Sequence, residues 1–230
     1  MKLDRFLAKQ SSMGRTAAHR LIAARRVRVD GLPCTDNQQE VGRFTRIELD
    51  EMLLQEAERA LYILLYKPVG ILSATTDPQH PTVIDLISDP DKHSLHLAGR
   101  LDRNTSGLVL LTNDGRWSKR VTEPLEHVAK VYLVETAEVI VPEAVAAFAA
   151  GFYFHTEDLM TLPAQLEILA PRQARLTLYE GRYHQVKRMF HRVGNRVTAL
   201  HRESIGALHL PPDFTPGQWR PLTPDEIALF

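Results

Sequence analysis

Apolar positions follow two rhythms along this chain, and the change between them divides it. In the first fifty residues, Leu3, Phe6 and Leu7 recur at helical spacing, as do Ala18, Leu21 and Ile22 after Gly14. This predicts two short amphipathic helices. Val27-Arg28-Val29 then alternates and closes in Asp30-Gly31, and Arg46-Ile47-Glu48-Leu49 alternates again, so two strands follow the helices. Residues 51–59 carry no packing periodicity and are expected to form a linker. From Leu61 the pattern becomes one of apolar runs and alternation. Leu61–Tyr66 is a buried strand ended by Pro68 and Gly70, and further strands are predicted over Leu108–Thr112, Lys130–Thr136, Ala164–Ile168 and Ala174–Tyr179. Helices fit Trp117–Thr122, Pro142–Ala150 and the stretch near Tyr183–Val193. Strands outnumber helices and adjoin through short turns. The expected fold is therefore α+β, with a small N-terminal module and linker over 1–58. A larger domain over 59–230 carries a mostly antiparallel or mixed sheet flanked by helices.

Composition narrows the class. The chain has 230 residues, 44% of them apolar and 24% charged, as in an ordinary globular protein. No apolar run approaches the roughly 20 residues that span a bilayer. Met1-Lys2-Leu3-Asp4-Arg5 lacks the apolar core of a signal peptide, so a cytoplasmic protein with no membrane partner is expected. The single cysteine, Cys34, excludes an internal disulfide. Neither a P-loop nor a G-x-G-x-x-G fingerprint is present, so nothing points to a nucleotide cofactor. The formal charge is zero, but its distribution is not even. Residues 1–28 hold eight Lys and Arg against Asp4 alone, and residues 181–202 hold six with no acid. Two such clusters suggest two places where a polyanion docks. In the N-terminal one, Arg5 contributes to the charge, and Arg15, His19 and Arg26 are expected on one flank of the second helix, facing a phosphate backbone.

The densest chemistry lies in Ala98-Gly99-Arg100-Leu101-Asp102-Arg103-Asn104-Thr105-Ser106-Gly107, followed by the run 108–111 and an Asn113-Asp114-Gly115 turn. A carboxylate directly behind an arginine sits in a polar loop that runs into a strand. The loop exposes the side chain and the strand fixes it. Arg100 and Arg103 flank Asp102, and nearby positive charge favours the ionised form. An Asx-type turn entering a strand would account for the same residues, so other segments must decide. In Ala129-Lys130-Val131-Tyr132-Leu133-Val134, alternation puts Lys130 and Tyr132 on one face. In Glu180-Gly181-Arg182-Tyr183-His184-Gln185-Val186-Lys187-Arg188-Met189-Phe190, the residues Val186, Met189, Phe190 and Val193 form an apolar helix face. His184, Lys187, Arg188, His191 and Arg192 lie opposite, a separation that a plain amphipathic helix also explains.

Gly99-Arg100-Leu101-Asp102 with Thr105 and Gly107, the Lys130-x-Tyr132 strand and Gly181-Arg182-x-His184-Gln185-x-Lys187 together resemble the pseudouridine synthases, in that order and from end to end of the chain. The resemblance implies that Asp102 is the catalytic residue, acting on the ribose of a uridine in RNA. It implies that Tyr132 stacks on the target base and helps move its proton, that Lys130 has a positioning role, and that Lys187 pairs with Asp102. Val197–Gly206 resembles the strand that completes the family's pocket, with Leu200 against the uracil and Arg202 at the RNA backbone; the alternative for Leu200 is plain core. Arg100 would hold the vacated space of the flipped base or a flanking phosphate, and Arg188 would bind RNA. Residues 1–50 resemble the small RNA-binding module of the S4 type. That module usually has a serine before the arginine placed at Arg15. Here it is Gly14, with Ser11 and Ser12 slightly upstream.

The implied reaction needs no cofactor, metal or second substrate. Tyr183-His184-Gln185 resembles the members that act on small-subunit ribosomal RNA, free or in an assembling particle, and no interface stripe argues against a monomer. Three other readings remain open: a synthase for large-subunit RNA or tRNA, a non-catalytic RNA-binding or ribosome-assembly protein, and a glycosidase. The last lacks an evident second carboxyl partner.

Overall fold

The computed structural model describes residues 1–10, 13–123 and 128–230, so Ser11 and Ser12 lie outside the described residues. The chain divides into two compact units, Met1–Ala60 and Leu61–Phe230.

In the first unit, helices α1 (Leu3–Gln10) and α2 (Arg15–Ala23) precede strands β1 (Val27–Val29), β2 (Leu32–Pro33), β3 (Ile47–Leu49) and β4 (Met52–Gln55). The strands form one sheet in the order β2-β1-β3-β4. The helical stripe predicted from Leu3, Phe6, Leu7, Ala18 and Ile22 is buried against Val27, Val29, Ile47 and Leu49 from the strands. Two expectations need correction. The segment read as a linker contains β4, antiparallel to β3. It is an edge strand with no buried residue, so it shows no alternation for a sequence reading to detect. Arg26, expected on the flank of α2, lies beyond the helix. α2 ends at Ala23, and Arg25 turns the chain through a left-handed conformation (φ 58°).

The second unit is built on one nine-stranded mixed sheet. Its strands are β5 (Tyr62–Lys67), β6 (His96–Leu97), β7 (Ser106–Thr112), β8 (Lys130–Thr136), β11 (Gln165–Ala170), β12 (Gln173–Leu178), β13 (Val197–Ile205), β14 (Leu208–His209) and β15 (Trp219–Pro221). A separate hairpin pairs β9 (Tyr153–Phe154) with β10 (Leu159–Met160). The sheet order is β11-β12-β8-β13-β7-β5-β15, with β14 on β13 and β6 on β7. The pairings are antiparallel except that of β13 with β7, where Arg202 lies opposite Gly107. Among the described residues the unit's α-helices are α3 (Gly115–Thr122), α4 (Glu143–Ala150), α5 (Gln185–Arg192) and α6 (Pro224–Ile227).

The unbroken apolar runs follow from this arrangement, because both faces of the central strands are covered. Ile63, Leu65, Val109 and Leu111 join the core that holds α4 and α5, whereas Leu64, Leu108 and Leu110 join the core around Trp117 and Val121 of α3. The Asn113-Asp114-Gly115 turn opens a helix. Asp114 is the N-cap of α3, accepting from the backbone N–H groups of Arg116 and Trp117, as a short acidic side chain does at a helix start.

At the entry to the site, Gly107 is required by close approach. It has φ 116°, and a Cβ there would lie 2.3 Å from the carbonyl oxygen of Arg202. Any side chain would push β7 off β13 at the point where the loop bearing Asp102 enters the sheet.

Candidate active site

The loop between β6 and β7 carries Asp102, and its backbone is pinned on both sides. The N–H of Thr105 donates to the carbonyl of Asp102 (3.0 Å), and the N–H of Gly70 donates to that of Arg103 (2.8 Å). Ser73 Oγ donates to the carbonyl of Leu101 (2.7 Å) and accepts from its N–H (3.1 Å). From the other side Lys67, wholly buried at the end of β5, donates to the carbonyls of Thr105 (2.8 Å) and Pro68 (3.0 Å) and reaches that of Arg103 (3.4 Å). Burial pushes this lysine down to about 8. The charge of Asp102 acts in the opposite direction, and Arg202 adds to the lowering.

Helix α5 supplies the counter-charge. Its apolar face, Val186, Met189 and Phe190, is buried as the spacing predicts. This turns Lys187 outward, where Nζ donates to Asp102 Oδ2 at 2.9 Å. The Asp102 side chain is 28% exposed and that of Lys187 32%, so the pair is reachable from solvent yet partly screened from it. His184 Nε2 lies 3.5 Å from Asp102 Oδ1. The flanking arginines do not serve the carboxylate. Arg100 Nε donates to the carbonyl of Ser73 (3.0 Å) and Arg103 Nε to that of Gly70 (3.2 Å), so the cation that faces Asp102 comes from 85 residues away.

A cleft of about 650 Å³ opens at this pair. Arg100, Asp102, Lys130, Tyr132, Lys187, Leu200 and Arg202, singled out separately in the sequence, all line it. β8 and β13 present Tyr132 and Leu200, each only 7% exposed, toward the same core. Lys130, on the face of β8 shared with Tyr132, donates to the carbonyl of Val128 (3.1 Å). Burial, with the charge of Arg202, lowers it to about 8.

Arg202 departs from expectation. It is 2% exposed and cannot meet an RNA backbone at the surface. On β13 it points inward two residues after Leu200, donates from Nε to the carbonyl of Leu108 (2.8 Å) and places Nη1 3.5 Å from the Tyr132 hydroxyl. Arg188 is also engaged within the protein. Its guanidinium makes a two-pronged ion pair with Glu157 and lies 3.6 Å above the Phe154 ring. In the first unit Arg15 and His19 both face Asp4, whose carboxyl is fully buried (2.8 and 3.0 Å), and Arg26 pairs with Asp50. Arg5 remains exposed.

Three residues that frame the site carry no motif signal on their own. They are Lys67, legible only as the end of a strand, Ser73, and Glu180. The last is 4% exposed and accepts from the N–H of Leu162, from Gln185 Nε2 and from Arg182 Nε.

A carboxylate paired with an ammonium, under an aromatic and an aliphatic wall, can attack or deprotonate a ribose and hold a planar base. A family model described as RNA pseudouridylate synthase matches residues 61–192. The chain belongs to that family. Curated relatives agree along its whole length. The "Ribosomal small subunit pseudouridine synthase A" of Pseudomonas aeruginosa is 56% identical over 228 residues, 99% of each chain. The protein of the same name from Escherichia coli K12 is 45% identical over 228 residues, again covering 99% of each. A solved structure described as a pseudouridylate synthase is similar over 100% of both chains, with 39% identity and a TM-score of 0.72. The pseudouridylate synthase match covers the Asp102 loop, β8 and α5, and so includes the Asp102–Lys187 pair and Tyr132. Among the described residues no helix is long and apolar enough to cross a membrane.

Proposed function

We propose that the protein converts one uridine of small-subunit ribosomal RNA to pseudouridine, working as a cytoplasmic monomer on free RNA or on an assembling particle. The observation that carries the reading is the 2.9 Å Asp102–Lys187 pair at a cleft walled by Tyr132 and Leu200. The names of full-length relatives support the substrate.

In this reaction the bond from the ribose to N1 of the base breaks, the base turns, and a bond forms to C5. The proton on C5 leaves and N1 gains one, so no oxidant or second substrate enters. Asp102 acts at the ribose, either as nucleophile, giving an ester, or as base, giving a glycal. Lys187 holds the carboxylate oriented. Tyr132 and Leu200 retain the detached uracil, with Tyr132 at hand for the C5 proton and Arg202 fixing the phenol from behind. Reaching the cleft requires the uridine to leave its stack, at about a few kcal/mol. Arg100 at the lip fills the vacated space or meets the flanking phosphate. The N-terminal unit, which resembles the S4-type RNA-binding module, supplies affinity and register and so offsets that cost.

The test treats small-subunit rRNA transcript, alone and with ribosomal proteins, with wild-type protein or Asp102→Asn. Pseudouridine is mapped by carbodiimide-dependent reverse-transcription stops. One new stop that is absent with Asp102→Asn is the expected result. A stop only in large-subunit RNA would keep the reaction and overturn the substrate, and tight binding without a stop in any RNA would leave a binding or assembly protein.

A further inference from the structure

The turn that leads into α5 is built more rigidly than the placing of Lys187 requires. Glu180, buried, receives three hydrogen bonds of 2.8–2.9 Å across it, from Leu162, Arg182 and Gln185. Gln185 Oε1 accepts from the N–H of Arg182 (3.0 Å), and Arg188 Nη1 donates to the carbonyl of Tyr183 (3.2 Å). At the centre of this brace His184 holds a left-handed backbone, φ 49° and ψ 31°, which strains a residue with a Cβ and persists only where the surroundings enforce it.

What the brace presents is an aromatic pair. The ring of Tyr183 lies flat on the imidazole of His184, centroids 3.9 Å apart and planes within 18°. His184 touches Asp102, and both aromatics line the mouth of the cleft. Tyr183 is nonetheless 74% exposed. One face of its ring is backed by His184, and the other is open. A ring pinned in orientation with one open face, one ring further out than the group that contacts the carboxylate, is a stacking surface for an unpaired base. The target uridine itself belongs deeper, between Tyr132 and Leu200.

We propose that Tyr183, backed by His184, is the platform on which the unpaired base next to the target uridine stacks, and that it thereby selects which RNA loops can present a uridine to Asp102. The proposal rests on the reading of the site as a uridine-modifying one and adds a specificity-determining residue to it. Stacking on the platform holds the strand splayed while the uridine is turned into the cleft, so its contribution falls on RNA binding and commitment and not on the bond-breaking step.

The experiment uses the full chain and the RNA fragment around the mapped modification site. The fluorescent adenine analogue 2-aminopurine is placed in turn at the nucleotide before and after the uridine. Wild type, Tyr183→Ala and Tyr183→Phe are compared. Because the side chain is exposed, neither variant should disturb folding, and thermal melts check this. The expected result is a loss of kcat/KM of about tenfold to a hundredfold for alanine, from base–aromatic stacking, with phenylalanine within about twofold of wild type. One of the two probe positions should be quenched by wild type and Tyr183→Phe and stay bright with Tyr183→Ala. Wild-type turnover with an alanine variant of equal kcat/KM, or quenching at neither position, overturns the platform and leaves the modification reading standing. Absence of turnover by wild type itself would overturn both.

Discussion

The two basic clusters look alike as sequence and behave differently as structure. In the first unit Lys2, Arg15 and Arg26 pair with Glu40, Asp4 and Asp50, but Arg5, Lys9, Arg20, Arg25 and Arg28 are exposed with no carboxylate partner among the described residues. In the second, Arg182 is bound to Glu180, Lys187 to Asp102, Arg188 to Glu157, and Arg192 and Arg202 to the carbonyls of Tyr153 and Leu108. Within this cluster only Arg196 stays exposed with no such partner among the described residues. A count of positive charges marks both as docking surfaces for a polyanion. Geometry leaves the first a surface and makes the second a scaffold, because Asp102, Glu157, Glu180 and two main-chain carbonyls take up all but one of its charges.

Three measurements would break or sharpen that contrast, and the largest effect belongs to the scaffold. Lys187→Met should lower the single-turnover rate by about a hundredfold with little change in RNA affinity, since it removes a fixed charge beside the carboxylate proposed to react. Lys187→Arg should recover part of the rate. If Lys187→Met instead showed only a salt-dependent affinity loss, α5 would be a docking surface after all. A smaller effect is expected in the first unit. Arg20→Ala and Arg28→Ala should each weaken RNA binding severalfold and reduce the slope of log affinity against log salt by about 1. Filter binding at a series of salt concentrations would read this, and an unchanged slope would remove these residues from the interface.

The smallest effect concerns Asp4. Hydrogen bonds from His19 and Arg15 hold its carboxyl at about 2, well below the usual 3.8. A depressed acid contributes stability that is complete above its unfolded pKa and is lost as the pH falls through the folded one. Urea unfolding of the full chain should therefore show the first unit weakening between about pH 4 and pH 2. Asp4→Asn should start less stable and show a flatter dependence, and an equally steep decline would place the acid sensitivity elsewhere.

What the sequence revealed follows the same division. β8 occupies Lys130–Thr136 as its alternation predicts, and α5 buries Val186, Met189 and Phe190, because each pattern is set by a single buried face. β4 went undetected since none of its residues is fully buried and Leu54 alone packs in part against the core, and α6 is too short to carry a period. The structure shows its start to be a capping box, in which Thr223 and Glu226 each accept from the other's backbone. The motif residues were legible as types, and seven of them meet in one cleft. Their partners were not. Arg100 and Arg103 flank Asp102 in sequence and bond elsewhere, and the ties from Lys67, Ser73 and Glu180 depend on neighbours brought close only by the finished sheet.

The parallel pairing of β7 with β13 also bears on how the site is acquired. It joins Ser106 to His201, 95 positions apart, and closing so large a loop costs more chain entropy than forming a local hairpin. A partly folded chain with β5 and β7 already paired would carry the Asp102 loop without its counter-ion and without the wall of β13. The cleft is therefore complete only once this long-range pairing is made, since Leu200 and Arg202 of β13 line it.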